Sequence, residues 1–598
     1  MTPTLAADFT YSYTSDANLT FHILAPAVPV PTLTRIKSMS RPTLHFLRPY
    51  LTRGIEPAVK PELARAYCAF QRRFAQTIAA DAYTGRHNVE KQKRLEQLRK
   101  LKNLGEYHPR LTHDVNGERV SLKVFNEKYK TLEDTQVGER VSVFGRVRSV
   151  RMLGSKLMFV DIERDSQRLQ IMIEVKKLDN HDDALEAFKA FKKTVARGDW
   201  VSFHGHAIRT STGQLSLLAL RVPQILAPCL HHLPEKVENA ELLARNPHVH
   251  QLTSDEPGHI LRLRAIVYDS VRQYLTKSDF LEVETPTFDV NAGGAIARPF
   301  ETVANELSNM PVRLRIAPEL NLKRLVVGGQ DKVFEIGRAF RNEGVDNTHN
   351  PEFSTCEFYE VGATLDSLIG RTEEMICGMK KITDSLRSTE FPSLQEPEGL
   401  NLSRPFAQLP FIPTIEKASG RKLPDLSAET ATKDLMSYFG DLNIDIPPNP
   451  TLPRLLDTLA EHYIEPLCVD PTFITHHPEA LSPLSKSYVC PETNQRIASR
   501  VELFINGREY VNAYEEENSP FEQRRKFMQQ LEFHSESEQG GREVDESYLE
   551  VLEWGMPPTG GWGCGLDRLV MLFANKKRIA DVLPFGTLRN VVSIAKNR

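Results

Sequence analysis

The sequence lacks long hydrophobic runs and has few cysteines. No apolar stretch reaches the roughly 18 to 20 residues that a membrane-spanning helix needs, so membrane insertion is not expected. The seven cysteines are scattered without a CxxC pair, which excludes a disulfide framework and a cysteine zinc site and indicates a reducing compartment. The GxxxxGK[ST] pattern is also absent, which excludes a P-loop nucleotide site.

Neither sign of charge dominates the chain, which has 75 Lys and Arg against 78 Asp and Glu. A nucleic-acid partner therefore cannot be inferred from net charge, and only local basic patches could bind it. The length of 598 residues is too great for one ordinary domain and predicts several.

Within the first 60 residues, one stretch lacks basic residues and a later stretch lacks acidic residues. Residues 1–34 contain no Lys or Arg and are rich in Thr, Ala and Pro, which predicts disorder. From Met39 to Ile55 there is no acid, whereas Arg41, Arg48 and Arg53 recur, as is typical of a mitochondrial presequence. We predict that residues 1–60 are a leader to the mitochondrial matrix, starting at Met1 or Met39. The alternative is a basic disordered tail on a cytoplasmic protein.

Residues 61–130 are predicted to be a helical extension. Leu95, Leu98 and Leu101 recur at a spacing of three in a segment rich in Lys and Arg that stops at Gly105. Such a basic helix fits either a solvated surface or a contact with nucleic-acid phosphates.

Residues 131–228 change to short alternating strands separated by Gly, Asp and Ser. This pattern predicts a small closed β-barrel of the oligonucleotide-binding (OB) type. The strands carry Arg146, Arg148, Phe159 and Gln170, and basic side chains beside an aromatic ring can clamp unstacked bases. The alternative places Phe159 in the barrel core. Residues 229–258 are predicted to be a polar linker.

Two strand-like segments joined by a polar loop form the first candidate site. Because side chains alternate along a strand, Arg341 and Glu343 share one face of the first segment. By the same count, Phe353, Glu357 and Tyr359 share one face of the second segment. If the faces coincide, a hairpin presents a guanidinium, an aromatic ring and carboxylates to one cavity. That combination suits a ligand with a phosphate, a flat base and an ammonium. The alternative is an amphipathic hairpin with a solvated face.

A second candidate hairpin turns at Asn506-Gly507. Counting back from the turn pairs Phe504 with Glu509 and Glu502 with Val511. Glu502 and Glu509 then lie diagonally on one face, roughly 7 Å apart. Two carboxylates at that spacing suit a divalent cation that also has phosphate ligands. The alternative is a charged hairpin on the surface.

Glycines mark two further segments. Gly294 permits close approach of the backbone to a ligand, and a run of glycines from Gly560 to Gly565 precedes an apolar helix with Arg568. Glu319 follows a proline at a predicted helix start. The alternative to a binding role is that its negative charge simply interacts favourably with the helix dipole there.

Taken together, FRNEG…HNPEF and PPTGGWGCGLDR resemble motifs 2 and 3 of the class II aminoacyl-tRNA synthetases. Their residues are most similar to the form of these motifs in the lysyl-tRNA synthetases. The amphipathic helix from Ile260, followed by FLEVETP, resembles motif 1, which implies a homodimer; the alternative is a buried helix and strand within one subunit. The order of barrel and catalytic domain is that of subclass IIb. The implied fold is α+β and multidomain, with an OB-fold anticodon-binding domain and, at residues 259–598, a catalytic domain built on an antiparallel β-sheet flanked by helices.

The resemblance implies ATP-dependent ligation of lysine to tRNA through a lysyl-adenylate, with Mg²⁺ as cofactor. Arg341 and Arg568 would be catalytic, acting on the α- and γ-phosphates. The other ATP-binding residues would be Glu343, His349, Asn350 and Phe353, and the metal ligands Glu502 and Glu509. The lysine-binding residues would be Gly294, Glu319, Glu357, Tyr359, Asn512 and Glu516. Simple alternation sends Asn512 and Glu516 to the wrong face, so we expect a bulge after Glu509.

Two alternatives to this function remain. An aspartate or asparagine enzyme of the same subclass should show a cation at the distal end of its pocket, where Glu516 and Tyr359 are expected here. A non-catalytic RNA-binding relative should have lost Arg341, Arg568 or the glutamate pair, and all four residues are present.

Overall fold

The computed structural model describes residues 89–110, 118–133, 136–179, 181–237, 239–290, 297–307, 310–397, 399–533 and 544–596. The predicted leader and the first part of the predicted helical extension lie outside the described residues. Within that extension, residues 89–99 are helical. The chain divides into a first unit, Met1–Gln97, and a second unit, Leu98–Arg598.

Short strands and longer helices alternate through the described residues. The strands are β1 (Glu118–Arg119), β2 (Arg140–Leu153), β3 (Leu157–Arg164), β4 (Gln167–Glu174), β5 (Trp200–Arg209), β6 (Leu215–Ala219), β7 (Gln224–Ala227), β8 (Leu281–Glu282), β9 (Phe288–Asp289), β10 (Glu301–Val303), β11 (Pro311–Leu314), β12 (Lys332–Phe340), β13 (Glu352–Val361), β14 (Ala407–Pro410), β15 (Thr472–Thr475), β16 (Ser487–Val489), β17 (Arg496–Ala498), β18 (Arg500–Ile505), β19 (Arg508–Glu515) and β20 (Thr559–Gly565). The α-helices are α1 (89–99), α2 (Leu122–Lys128), α3 (His181–Thr194), α4 (Ala240–Arg245), α5 (Pro247–Thr253), α6 (Glu256–Lys277), α7 (Glu319–Val327), α8 (Leu365–Glu390), α9 (Phe411–Ser419), α10 (Ala431–Leu442), α11 (Leu452–Tyr463), α12 (Pro520–Glu532), α13 (Glu546–Glu553), α14 (Leu566–Phe573) and α15 (Leu588–Lys596).

The first sheet closes into the predicted barrel. Its strand order is β1-β2-β3-β4-β6-β5-β7, and an additional pairing of β2 with β5 joins the two sides. Alternate side chains such as Val141 and Val143 point into the barrel core. Leu122 and Phe125 of α2 belong to the same core. Residues 118–128 are thus part of the barrel structure, although the sequence suggested a separate helical extension up to residue 130.

The segment predicted as a polar linker contains two helices, α4 and α5, and the start of α6. The prediction missed them because their few apolar residues form no helical repeat over 11 or more positions. The amphipathic helix expected from Ile260 is α6, and its predicted apolar face is buried, with Leu263 and Val267 fully inaccessible.

The domain that was predicted to be catalytic is built on an eight-stranded sheet in the order β14-β15-β18-β19-β20-β13-β12-β8. Most neighbours are antiparallel, and only β14–β15 and β12–β8 are parallel. Helices α6, α8 and α14 cover one face, where their apolar side chains form the largest core. Trp562 of β20 stacks on Phe358 at 5.0 Å and donates a hydrogen bond from Nε1 to Thr372 of α8. The predicted α+β architecture is therefore confirmed, and the opposite face of the sheet lines a cavity.

A search of the described helices finds none whose length and apolar character would allow it to cross a membrane.

Candidate active site

A cavity of about 1560 Å³ lies on the uncovered face of the eight-stranded sheet. Twelve of the residues predicted to bind substrate or metal line it: Glu319, Arg341, Glu343, His349, Asn350, Phe353, Glu357, Tyr359, Glu502, Glu509, Asn512 and Arg568. Gly294 falls outside the described residues, and Glu516 does not line this cavity. The two candidate hairpins thus meet at one site.

In the first hairpin the two strands pair so that the face of Arg341 and the face of Phe353 coincide. Ala339 pairs with Phe353, and the backbone N–H of Arg341 donates to Pro351 at 2.8 Å just beyond the end of β12. The Arg341 guanidinium lies 5.1 Å from the centre of the Phe353 ring. Its Nε–H is buried and has no hydrogen-bond acceptor among the described residues. Arg341 therefore lines the cavity beside a flat aromatic surface, and its guanidinium forms no ion pair with another described residue.

A polar chain connects the motif 2 loop to the motif 3 helix. Arg568 on α14 contacts His349 Nε2 at 3.0 Å and donates to the backbone oxygen of Glu509 at 2.7 Å. His349 Nδ1 in turn lies 2.8 Å from Asp346. Burial opposes ionisation of Asp346, but hydrogen bonds from the Thr348 and His349 backbone and the His349 ring lower its pKa below the usual range. These contacts hold the Arg568 guanidinium at the cavity as a fixed positive charge.

The second hairpin contains the expected bulge. Asn506 and Gly507 adopt positive φ angles of 51° and 64°, as a two-residue turn requires. Phe504 pairs with Glu509, but Leu503 already pairs with Val511, so Tyr510 is the extra residue. Glu502 consequently pairs with Asn512, where simple alternation predicted Val511. The bulge brings Asn512 to the cavity face.

The two glutamates that were predicted to hold magnesium lie on the neighbouring strands β18 and β19 and line the cavity. Burial opposes ionisation of Glu502, but Arg500 and His477, which contact it directly, lower its pKa to about 2. Glu509 on the neighbouring strand lines the same cavity. Within the described ranges no cluster of three or more Asp, Glu, His or Cys could hold a metal by itself. Mg²⁺ commonly takes only one or two carboxylates together with phosphate oxygens and water.

The opposite end of the cavity is acidic and aromatic. Glu319, the first residue of α7, is 4% exposed and accepts hydrogen bonds from Tyr514 at 2.5 Å and Lys323 at 2.6 Å. Both donors contact Oε1, which leaves Oε2 for a ligand. Sequence reasoning missed Lys323 and Tyr514, although Lys323 lies one helical turn after Glu319 and could have been found from that spacing.

Glu357 and Tyr359 on β13 form the wall beside Glu319. The Tyr359 hydroxyl donates to Glu357 Oε2 at 3.3 Å. Burial, assisted by the negative charge of Glu319, raises the pKa of Glu357 to about 8 despite the opposing charge of Arg341. This carboxylate therefore takes up a proton near neutral pH when no cation lies beside it.

Glu516, which was predicted to bind lysine, is not among the residues that line the cavity but lies next to Gly561, which does. The Glu516 side chain is 1% exposed and forms an ion pair with the buried Lys323. A Cβ on Gly561 would lie 1.9 Å from Glu516 Oε1, and Gly561 lines the cavity. Because Gly561 pairs with Tyr359, that Cβ would point to the same face of the sheet as the Tyr359 ring, so the Glu516 carboxylate lies on the cavity side of the sheet.

The predicted base-binding residues divide into two groups on the barrel. Phe159 and Gln170 lie on the outer, half-exposed face of β3 and β4. Arg146 stacks on Trp200 at 5.2 Å and donates to Gly198 at 3.0 Å. Arg148 lies at a register shift in β2 and donates to Leu252 at 2.9 Å, with ion pairs to Glu163 and Asp255. It thus ties the barrel to the segment before α6, and its side chain is 21% exposed.

Sequence reasoning missed a basic residue, Arg151, that lies directly opposite Phe159 on the neighbouring strand. Arg151 pairs with Phe159 across β2 and β3, and its side chain is 59% exposed. The register shift at Arg148 is what puts Arg151 on this outer face. The sequence offered no signal for the shift, because both arginines lie in the same alternating run.

Comparisons with known proteins agree with this geometry. Residues 239–589 match the family model described as tRNA synthetases class II (D, K and N), and residues 141–225 match that of the OB-fold nucleic acid binding domain. The chain is 37% identical to "Lysine--tRNA ligase cla4" of Cladosporium cladosporioides over 83% of each chain. It is 36% identical to "Lysine--tRNA ligase, mitochondrial" of Schizosaccharomyces pombe, over 81% of this chain and 91% of the relative. It is also 38% identical to "Probable lysine--tRNA ligase, cytoplasmic" of Encephalitozoon cuniculi, over 78% and 91%. With a nucleotide-sized cavity between motif 2 and motif 3 and an anticodon-type barrel before it, the chain belongs to the class II aminoacyl-tRNA synthetases, in the lysine--tRNA ligase family.

Proposed function

We propose that the protein joins L-lysine to its tRNA in two steps at the cavity. A lysine carboxylate oxygen attacks the α-phosphorus of ATP, pyrophosphate leaves, and lysyl-adenylate forms. A hydroxyl of the terminal tRNA ribose then attacks the lysyl carbonyl, and AMP leaves. The acidic end of the cavity, with Glu319 and Glu357 on its wall, supports lysine as the amino acid.

The charges of the acidic end match those of lysine. Glu319, Glu357 and Glu516 provide three carboxylates, whereas Lys323 provides one ammonium. A buried charge is costly unless it is paired. Lysine brings two further ammonium groups, so each carboxylate then has one cation. In this proposal the α-ammonium binds Glu319, the ε-ammonium binds Tyr359 with Glu357 and Glu516, and Asn512 contacts the carboxylate.

The other end of the cavity suits ATP. Phe353 offers a surface for the adenine, with His349, Asn350 and Glu343 around the nucleotide. Arg341 would contact the α-phosphate and Arg568 the γ-phosphate. Glu502 and Glu509 would hold magnesium, which when bound neutralises charge on the phosphate oxygens. The protein's own contribution is positioning and fixed positive charge, which an in-line displacement of this kind requires.

The function is tested by ATP–pyrophosphate exchange on the purified protein with each of the twenty amino acids in turn. Exchange should depend on lysine. If exchange depended on aspartate or asparagine, that amino acid and not lysine would be the substrate. If no amino acid supported exchange, the protein would be the non-catalytic RNA-binding alternative.

We propose that the outer face of the barrel binds the anticodon. The residues that support this are Arg151, Phe159 and Gln170, which lie on adjacent strands β2, β3 and β4. An aromatic ring flanked by a guanidinium and an amide can stack on one base and hydrogen-bond to its edge.

Phe159→Ala should weaken tRNA charging by about five- to a hundredfold in kcat/KM for tRNA, since base stacking contributes about 1 to 3 kcal/mol per base. ATP–pyrophosphate exchange, measured without tRNA, should not change. Val137→Ala, which shortens an exposed apolar side chain before β2, is the matched control. If Phe159→Ala charged tRNA as well as this control, the anticodon would have to bind elsewhere.

A homodimer is also proposed. Leu281, Phe288, Val290 and Val303 are each more than half exposed, and β8 is an edge strand of the eight-stranded sheet. Phe288 and Val303 lie on β9 and β10, the edge strands of a separate three-stranded sheet. Exposed apolar side chains on edge strands favour an interface. A second copy of the chain would cover them through its own motif 1.

A mitochondrial location is proposed from the composition of the leader. A reporter fused to residues 39–60 should enter mitochondria, because Arg41, Arg48 and Arg53 recur there before the first acid. The same fusion with the three arginines changed to serine should stay in the cytosol. Cytosolic retention of the unchanged fusion, and of one with residues 1–60, would indicate a cytoplasmic enzyme.

A further inference from the structure

Four charged side chains form a cluster where the barrel meets the start of α6: Arg148, Glu163, Arg168 and Asp255. Glu163 Oε2 lies 3.2 Å from Arg148 Nε and 2.9 Å from Arg168 Nε. A terminal nitrogen of each guanidinium contacts a separate oxygen of Asp255, at 3.3 Å for Arg148 and 3.0 Å for Arg168. Every charge in the cluster thus has two opposite charges beside it. None of the roles assigned above to ATP, magnesium, lysine or tRNA uses Glu163, Arg168 or Asp255.

The cluster joins two different parts of the fold. Arg148, Glu163 and Arg168 lie on β2, β3 and β4 of the barrel, whereas Asp255 directly precedes α6. The Asp255 side chain makes no capping hydrogen bond to that helix. A single exposed ion pair contributes little, but a network of several charges can hold two surfaces together, and the arginine fork suits carboxylate oxygens. The Asp255 side chain therefore acts on the barrel and not on its own helix.

A second contact fixes the same part of the barrel. The strands β3 and β4 are joined by a tight turn at Asp165 and Ser166, which have positive φ angles of 52° and 60°. The backbone oxygen of Asp165 accepts a hydrogen bond from Arg262 of α6 at 2.9 Å. Arg262 also pairs with Glu390 at the end of α8, at 3.3 Å. The turn of the β3–β4 hairpin is thus held to two helices of the catalytic domain.

The same hairpin carries two of the residues proposed to bind the anticodon. Phe159 lies on β3 four positions before Glu163, and Gln170 lies on β4 two positions after Arg168. Four residues of a strand span about 13 Å. The two strands pair without a register shift from one site to the other. Contacts that fix the end of the hairpin therefore also fix the place of the proposed base site.

We infer that the four-charge cluster sets the position of the barrel for tRNA, and that Asp255 is a positioning residue for tRNA charging. The inference rests on the proposed function, in which one tRNA binds the barrel and the cavity at the same time. A ligand that bridges two sites gains affinity from both only when their separation and orientation match it. With the cluster intact, anticodon binding brings the acceptor end to the cavity. Without it, each site still binds its own part of the tRNA, but the gain from joint binding is lost.

The test compares charging of full-length tRNA with charging of an RNA minihelix that contains the acceptor stem but no anticodon. Asp255→Arg puts a third cation beside Arg148 and Arg168 and should lower kcat/KM for full-length tRNA at least tenfold. Charging of the minihelix and tRNA-free ATP–pyrophosphate exchange should stay within twofold of the unaltered protein, because neither reaction uses the barrel. The charge swap Asp255→Arg, Arg168→Glu restores opposite charges between the two parts of the fold, so its kcat/KM for full-length tRNA should exceed that of Asp255→Arg at least fivefold.

Asp366→Arg is the matched control, since Asp366 is an exposed acid in the first turn of α8. It makes the same change of charge at a helix start, at a residue outside the cluster. Thermal unfolding of each variant reports whether it is folded. If Asp255→Arg does not fold, Asp255→Asn replaces it and should show at least a threefold loss that is restricted to full-length tRNA.

Three results would overturn the inference. If Asp255→Arg charged full-length tRNA as well as the control, the cluster would not position the barrel. If charging of the minihelix fell as much as that of full-length tRNA, Asp255 would act within the catalytic domain. If the folded charge swap charged tRNA no better than Asp255→Arg, these side chains would contact the tRNA itself. Lysine-dependent exchange by the unaltered protein is measured first. Its absence would contradict the proposed function, whereas normal tRNA charging by Asp255→Arg in a lysine-dependent enzyme would contradict only this inference.

Discussion

Arg341→Ala should lower lysine-dependent ATP–pyrophosphate exchange about a hundred- to a thousandfold, a loss of about 3 to 4 kcal/mol of transition-state stabilisation. The Arg341 guanidinium lies at the cavity over Phe353, and its buried Nε–H has no acceptor among the described residues. A phosphate that gains charge during the displacement would meet a donor already in place. Because the side chain makes no ion pair within the described part of the chain, its removal should not destabilise the fold.

Arg338→Ala is the matched control for this variant. Arg338 lies three residues earlier in the same hairpin, is 44% exposed and pairs with Glu352 at 3.4 Å, away from the cavity. Its exchange rate should be within twofold of the unaltered protein. If the two alanine variants had equal activity, Arg341 would not be a catalytic residue.

Glu357→Gln should lower kcat/KM for lysine about a hundredfold or more. The carboxylate lines the acidic end of the cavity beside Tyr359, where the ε-ammonium of lysine must leave water. Breaking one partner of a desolvated charge pair costs about 2 to 5 kcal/mol. The glutamine keeps the size of the side chain, so KM for ATP should change little. A variant with normal lysine kinetics would exclude Glu357 as the distal group.

The raised pKa of Glu357 predicts how lysine binding depends on pH. Burial and Glu319 raise this pKa to about 8, with Glu335 adding to the rise and Arg341 and Tyr359 opposing it. A bound ε-ammonium favours the carboxylate, so lysine binding should release a proton. KM for lysine should therefore fall as pH rises from about 6 and level off above about 8. In Glu357→Gln this part of the pH dependence should be absent, and persistence of the full slope would assign the proton to another group.

The sequence predicted those parts of the site that follow from strand alternation and a recognisable turn. Arg341, Phe353, Glu357 and Tyr359 share one cavity because β12 and β13 are regular. The bulge at Tyr510 could be expected because the Asn506-Gly507 turn fixes a register that sends Asn512 to the wrong face, whereas the resemblance places Asn512 at the substrate.

The remaining parts depend on contacts between distant segments. Arg148 was predicted to bind a base, but a register shift turns it toward Leu252, about a hundred positions further along the chain. Lys323 and Glu516 meet although nearly two hundred positions separate them. Local periodicity does not report such pairs, so the sequence predicted Glu516 at the lysine site without the Lys323 that pairs with it.

The order of strands in the central sheet has a consequence for how the protein reaches its active form. The strand β20, at residues 559–565, lies between β13 and β19 and pairs with both. Until the ribosome has delivered β20, these two partners have no strand between them, and each presents an open edge that can pair with another chain. The cavity wall formed by Gly561, Gly563 and Gly565 does not exist at that stage. A nascent chain would therefore remain inactive and prone to aggregation until late in its synthesis, which makes it a natural client for a chaperone.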